Sequence, residues 1–350
     1  MKLIRKITLY FCLVLFANNA RAIIQDTNYY RKYNDRFIVA FYQSVRKYDI
    51  TFDQLIATDT TRNSSHQYRA DADLATGIEL NFDKLSFSFT YKTTPPDSRT
   101  KGTTTYSDLG FSFGDNEMIV ESNYRRYKGF YDFKSSSFDT ANFKKSGIFY
   151  QNPSMKVEGF RSKLIYFLNP KKFSYKSAYS CSYRQLKSAI SGIMIGDVYY
   201  NRMSTDTAFI SPRGREYYGD LKYLNGLYTT GLAMKWGLSF NIVILKRFFA
   251  NLTGAAGAEA QWRNYRYSDS PKSNRTYLAF AADVRGSLGY NGKNLFITVS
   301  NKNDISIYDS GQMKIRSTFN SGAFTIGYRF KVRQREWMKK AKDTTLYRLL

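Results

Sequence analysis

Long runs of strict two-residue alternation constrain this chain more than any other feature. Between Leu227 and Ile244, the side chains of Tyr228, Leu232, Met234, Trp236, Leu238, Phe240, Ile242 and Ile244 share one face. Thr229, Gly231, Ala233, Lys235, Gly237, Ser239 and Asn241 share the other. Successive side chains of a β-strand point to opposite sides, so this pattern describes a strand with a greasy, aromatic face and a small, polar one. Thr276 to Tyr290 repeats it, with Leu278, Phe280, Ala282, Val284, Leu288 and Tyr290 opposite Tyr277, Asp283, Arg285 and Ser287. Asn251 to Tyr265 does so again, setting Leu252, Ala256, Ala258, Ala260 and Trp262 against Glu259, Gln261 and Arg263. A soluble sandwich also alternates, core against water. These runs, however, exceed the roughly five or six residues of an ordinary strand and fit the about nine to eleven that a tilted strand needs to cross a bilayer.

The composition agrees. Hydrophobic residues make up 43% of the 350, but 30 Tyr and 27 Phe supply much of that, and mean hydropathy is on the polar side. Aromatic-rich and polar together favours strands. Residues 1–22 read as a secretory signal: Lys2, Arg5 and Lys6 are basic, Ile7 to Phe16 is apolar but too short to span, and Ala20-Arg21-Ala22 offers cleavage before Ile23. Cys12 lies inside that apolar stretch without the small residues a lipoprotein signal needs, which leaves Cys181 alone in the mature chain and excludes an internal disulfide. Beyond the signal no run of 18 apolar residues occurs, so membrane crossing by helices is excluded.

Tight turns and long polar stretches take turns along the chain. Ile78, Leu80 and Phe82 lead through Asp83-Lys84 into Leu85, Phe87, Phe89 and Tyr91, a hairpin. Further tight connections fall at Gly114-Asp115-Asn116, Asn169-Pro170-Lys171-Lys172, Leu245-Lys246-Arg247 and Asn291-Gly292-Lys293. Long polar stretches lie near 46–73, 128–157 and 201–226, shorter ones at 266–274 and 309–313. Short turns at one end and long loops at the other mark a bacterial outer-membrane barrel. The expected fold is all-β, a transmembrane antiparallel up-and-down barrel over residues 23–330 with about 12 strands, 10 and 14 being the alternatives. The count requires Phe173 to Lys187 to be a prelude or partial plug and Ser188 to Tyr200 to be a crossing. The last crossing ends Gly327-Tyr328-Arg329-Phe330, and residues 331–350 form a basic periplasmic tail, either frayed or a short helix around Trp337 and Ala341.

The hairpin Gly77 to Tyr91, the run Asn169-Pro170-Lys171-Lys172-Phe173-Ser174-Tyr175, and Gln185-Leu186-Lys187-Ser188-Ala189 leading to Gly192 carry a resemblance. They look like the exported Bacteroidota family catalogued as domain of unknown function 4421. The resemblance spans nearly all of the mature chain. It implies an outer-membrane barrel with no established activity, and it carries over no site.

Candidate chemistry is sparse. His66, the only histidine, sits in an expected polar loop, so every histidine-dependent scheme would pass through it; a solvated loop residue is the expectation. No cysteine pair or spaced His/Asp set suggests a metal, and no cofactor is expected. Gly254 to Ala260 lacks the Lys-Ser/Thr ending of a phosphate loop and lies within a strand pattern. The formal charge is +25; the signal removes four basic residues, leaving 25 − 4 = +21. For an exported protein this points away from nucleic acid and towards anionic lipid headgroups, lipopolysaccharide phosphates or acidic solutes. Assembly of such a barrel implies the barrel assembly machinery as a partner, and oligomeric state is not encoded legibly.

Two groups of charges stand out. Glu79, Glu121, Arg125, Arg161, Lys163, Lys235, Glu259, Arg263, Asp283, Arg285, Lys302, Asp304 and Arg329 fall on the polar phase and are expected to face the lumen. They would either pair into a ladder that fills the interior or form a basic constriction that selects anions. Tyr124, Arg125, Arg126, Tyr127 and Lys128 stand where a strand leaves the membrane and suit a lipid or lipopolysaccharide rim, with Arg213 and Arg215 added from the long loop. The functional expectation is an outer-membrane barrel binding or passing small polar or anionic solutes through a basic lumen. The alternatives are a plugged structural or surface-interaction barrel, an outer-leaflet lipid-acting enzyme working through His66, and a soluble secreted β protein.

Overall fold

The computed structural model describes residues 28–54, 65–93, 99–138, 140–212, 215, 218, 222–268, 273–309, 313–332, 344 and 347. The expected signal peptide, Arg213, Trp337 and Ala341 lie outside them. Twelve strands close into an antiparallel barrel: β2 (Arg36–Gln54), β3 (Ser65–Phe82), β4 (Leu85–Lys92), β5 (Thr105–Gly114), β6 (Met118–Asp132), β7 (Tyr150–Phe167), β9 (Ala189–Ser204), β10 (Leu224–Ile244), β11 (Phe248–Tyr267), β12 (Ser273–Asn291), β13 (Leu295–Asp309) and β14 (Met313–Lys331). Each pairs with its chain neighbours, and β14 returns to β2 from Met313↔Gln54 to Lys331↔Arg36, so the wall has no free edge. Two short strands, β1 (Tyr30–Lys32) and β8 (Tyr183–Gln185), pair only with each other.

The alternation does what its two faces require. Trp236, Leu238, Phe240, Leu252, Phe280 and Phe324 are exposed on the outer surface, where lipid takes the place of a protein core. Small residues keep the curved wall from crowding: a Cβ on Gly237 or Gly257 would run into the backbone of the neighbouring strand. The short turns cluster at one end of the barrel, the end that outer-membrane barrels turn to the periplasm, and left-handed backbone at Leu245 (φ 52°) and Lys246 (φ 57°) makes the β10–β11 turn fit the strand twist.

The structure adds to or departs from the sequence reading in three places. The polar stretches 46–73, 128–157 and 201–226 are partly wall, the first mostly so: β2 runs to Gln54, β3 starts at Ser65, β6 ends at Asp132, β7 starts at Tyr150, and β9 and β10 reach Ser204 and Leu224. Strands that rise above the lipid no longer need an apolar outer face, so they read as loops. Secondly, β4 and β5 stop short, and β3 pairs directly with β6 above them through Tyr68↔Asp132 and Arg69↔Tyr131. Thirdly, His66 is a fully buried residue of β3 and not a solvated loop residue. Residues 173–187 are no crossing; they fold into the periplasmic mouth.

Candidate functional site

The barrel interior is filled in three layers. At the extracellular end the β9–β10 connection turns inward, and Phe209, Ile210 and Tyr218 pack with Phe52, Tyr68, Tyr106, Tyr127 and Phe130 in one buried cluster. The Tyr218 hydroxyl donates to the Phe52 carbonyl at 3.0 Å, the Tyr68 hydroxyl donates to that of Phe209, and the Phe52 and Phe209 rings stack at 6.1 Å. His66 belongs to this layer. Its Nδ1 lies 2.5 Å from Asp132 Oδ2, and its ring tilts against Tyr218 at 5.5 Å. Asp132 also accepts from the backbone N–H of Lys134 at 2.8 Å and of Gln67 at 3.1 Å. The pair thus ties β3 to the start of the β6–β7 connection.

The middle layer is a belt of ion pairs that crosses the lumen. Lys163 on β7 reaches Asp283 on β12 at 2.5 Å and Asp304 on β13 at 2.8 Å. Lys235 on β10 pairs with Asp283 and, at 3.1 Å, with Asp197 on β9. Arg161 lies 3.4 Å from Asp197 and 3.5 Å from Asp304. Arg125 on β6 touches Asp108 at 3.0 Å and Asp304 at 3.9 Å; β6 and β13 stand six places apart in the ring of twelve, so this contact spans the diameter. Arg285 meets Glu121 at 2.8 Å. Glu259 instead accepts from the Tyr199 hydroxyl at 2.6 Å, and Arg263 donates to Gln261 at 2.8 Å beside the Tyr277 ring. Lys302 has no carboxylate within 4 Å among the described residues and lies 5.6 Å from the Tyr179 ring.

The third layer is the periplasmic plug, residues 168–188 with β1 laid against β8. Phe173 and Tyr175 pack on Phe167, Ile165 and Ile193. Polar residues of the wall receive the plug backbone: Asn241 Nδ2 donates to the Ser174 carbonyl at 2.9 Å, Ser287 Oγ to that of Ala178 at 2.8 Å, and Asn291 Nδ2 to those of Ser177 and Tyr183. Arg329 does most of this work. Fully buried, it donates to the Cys181 carbonyl at 2.6 and 2.9 Å, to the Gly292 carbonyl at 2.7 Å and to Asn291 Oδ1 at 2.6 Å. Burial pushes the Cys181 thiol up to about 12, against the pull of nearby Arg329. Lys176 Nζ donates to the carbonyls of Gly114 at 2.5 Å and Lys84 at 3.2 Å, and burial, with Lys32 nearby, lowers its ammonium to about 8.

A polar cavity of about 210 Å³ remains between belt and plug, bordered by Arg46, Asp108, Arg125, Arg285, Lys302 and Tyr179 among others. Among the described residues no three His, Cys, Asp or Glu side chains group as metal ligands would.

The rim run divides by strand parity. Tyr124, Arg126 and Lys128 are exposed on the outer wall, whereas Tyr127 is buried against Tyr48 and Tyr106 and Arg125 enters the belt. Five consecutive strand residues cannot share one face, so Arg125 and Tyr127 leave the lipid rim. Arg215 sits in the β9–β10 connection, bonded to the Ile210 carbonyl at 3.3 Å. The plug seats formed by Asn241, Ser287 and Asn291 were not anticipated. Their only sequence signal is a polar residue near the periplasmic end of each inward phase.

No curated protein matches the chain. Among solved structures, the outer membrane protease OmpT of Escherichia coli is similar at 9% identity, a TM-score of 0.39, and coverage of 85% of this chain and 97% of that one. The Pseudomonas putida toluene transporter TodX follows at 8% identity, a TM-score of 0.26 and coverage of 86% and 91%. The attachment invasion locus protein Ail of Yersinia pestis shows 13% identity, a TM-score of 0.26 and coverage of 62% and 100%. At such identities the likeness is one of architecture. At the level of sequence, the family described as domain of unknown function, DUF4421, matches residues 24–330, and this outer-membrane-type barrel belongs to that family.

Proposed function

We propose that the chain is a sealed outer-membrane barrel that works through its surfaces, as an anchored scaffold for binding, and not as an open pore. The observation that carries this reading is the ion-paired belt, in which Lys163 and Arg125 reach acids on the far wall. Removing either partner of a buried pair is costly, so such a belt is a fixed strut and a poor gate. The test is conductance of the refolded protein in a planar bilayer under a salt gradient, with a gel-shift control for folding. The expected result is no steady current; open-channel current from a folded barrel would overturn the reading.

One observation favours a second reading, in which the interior holds or passes a small anion. The 210 Å³ cavity contains Lys302 without a carboxylate partner within 4 Å among the described residues. Anion-selective current that falls when Arg263 and Arg285 are neutralised would establish it.

A further inference from the structure

The outer wall is not uniform around its circumference. Where β6, β7, β9, β10 and β11 leave the apolar band, the register aligns outward positions in level rows. One largely aromatic row holds Tyr124, Phe160, Tyr200 and Trp262, with Thr230 between the last two. The next row up sets Arg126 beside Glu158, Arg202 and Tyr228. The row above sets Lys128 beside Lys156, with Arg266 two strands past β9. Five cations therefore share a small face with one acid, directly above an aromatic girdle.

This face is organised. Glu158 accepts from Lys156 at 2.8 Å, lies 4.0 Å from Arg202 and receives the Tyr124 hydroxyl at 3.4 Å. The guanidinium groups of Arg202 and Arg266 both lie over the Tyr228 ring, at 5.3 and 4.2 Å. Stacking fixes each planar fork while leaving its N–H groups directed outward. Arg126, Lys128 and Arg266 have no acid within 4 Å among the described residues. The opposite flank differs: just above Val45 the outward positions carry Lys47, Asp49, Arg69 and Asp71, and Arg69 is paired with Asp49 at 2.7 Å.

We propose that the β6–β11 face binds the phosphorylated headgroup of an outer-leaflet glycolipid. The long connections mark this end as the extracellular one, so the cations stand at the headgroup level of the outer leaflet with acyl chains against the aromatic row below. A phosphomonoester offers several acceptor oxygens to fixed Arg forks, and two phosphates on one sugar backbone match cations spread over adjacent strands.

The test uses the refolded protein in detergent, with retained lipid counted by native mass spectrometry. The probes are bis-phosphorylated lipid A, the same lipid A stripped of phosphate, and phosphatidylglycerol. Bis-phosphorylated lipid A should be retained at least tenfold better than either comparator. The double variant Arg202→Gln/Arg266→Gln should lose that preference tenfold, and Lys47→Gln/Arg316→Gln on the opposite flank, where Arg316 of β14 stands beside Thr51 of β2, should keep it. Equal retention of the dephosphorylated form or of phosphatidylglycerol would overturn the proposal, as would an unaffected Arg202/Arg266 variant or an equal loss in the opposite-flank variant. Should the first variant fail its folding gel shift, the three-lipid comparison on the unaltered protein decides alone. Conductance plays no part in it, so it stands or falls separately from the sealed-barrel reading.

Discussion

The belt and the outer rim are built from the same residue types and behave in opposite ways. Inside, Lys163, Lys235 and Arg285 are buried and held by acids on other strands. Outside, Arg126 and Lys128 are exposed, opposite Glu158 and Lys156 in the register, with no acid within 4 Å among the described residues. A charge withdrawn from water must be matched where it stands, whereas a charge facing a headgroup layer can be left to meet its partner there. Position relative to water, and not composition, decides whether a basic residue is a strut or a contact.

Breaking the belt should produce the largest effect. Asp283→Asn removes the carboxylate shared by Lys163 and Lys235, and about 3–5 kcal/mol of stability should be lost, read as a lower urea midpoint of the barrel in micelles. Next, Arg329→Met leaves the carbonyls of Cys181 and Gly292 without their donor. Roughly 3 kcal/mol of plug seating should disappear, and maleimide labelling of Cys181 in the folded protein should speed up on the order of 100-fold. If labelling stays slow, the plug is held without Arg329, by the Asn241, Ser287 and Asn291 seats and its apolar packing.

Lys176 gives a pH test of the same plug. Its folded value of about 8 lies below the ordinary lysine range, so between about pH 8 and 10.5 the unfolded chain binds the extra proton and folding gains stability as pH rises. The gain should be about 3 kcal/mol, flat below pH 8, and absent in Lys176→Met when denaturation midpoints are compared across that window. The neutral amine keeps N–H groups for Gly114 and Lys84, so the seat survives deprotonation. At the small end, Arg126→Gln with Lys128→Gln should shift stability by less than about 0.5 kcal/mol. A large loss there would erase the distinction between strut and contact.

The membrane-spanning part of the wall was legible because lipid outside and polar groups inside impose a single phase on each strand, as in Leu227 to Ile244. The upper wall was not, because the phase changes over. In β2 the apolar residues Val39, Phe41 and Val45 face out, then Tyr48, Ile50 and Phe52 face in. Above the lipid the barrel turns into a water-soluble protein with its core inside, and a search for one continuous apolar face reads that switch as the end of the strand. His66 was misjudged for the same reason. The plug was recognised only as a break in the turn pattern; its seats are single Asn and Ser residues, which carry no periodic signal. In the rim, treating five consecutive residues as one surface ignored the parity that had identified the strand.

The seam between β14 and β2 gives the molecule an order of events. Arg329, the residue that grips the plug at Cys181, is carried by the strand that closes the ring. Until β14 lies against β2 the plug has no such grip, and once it does the connection between β7 and β9 is enclosed by wall on every side. Closure therefore brings this part of the lock into place, beside the seats on β10 and β12. A chain cut short before residue 329 would keep the β14–β2 pairing from Met313 to Tyr328 and lose the bolt that holds the plug.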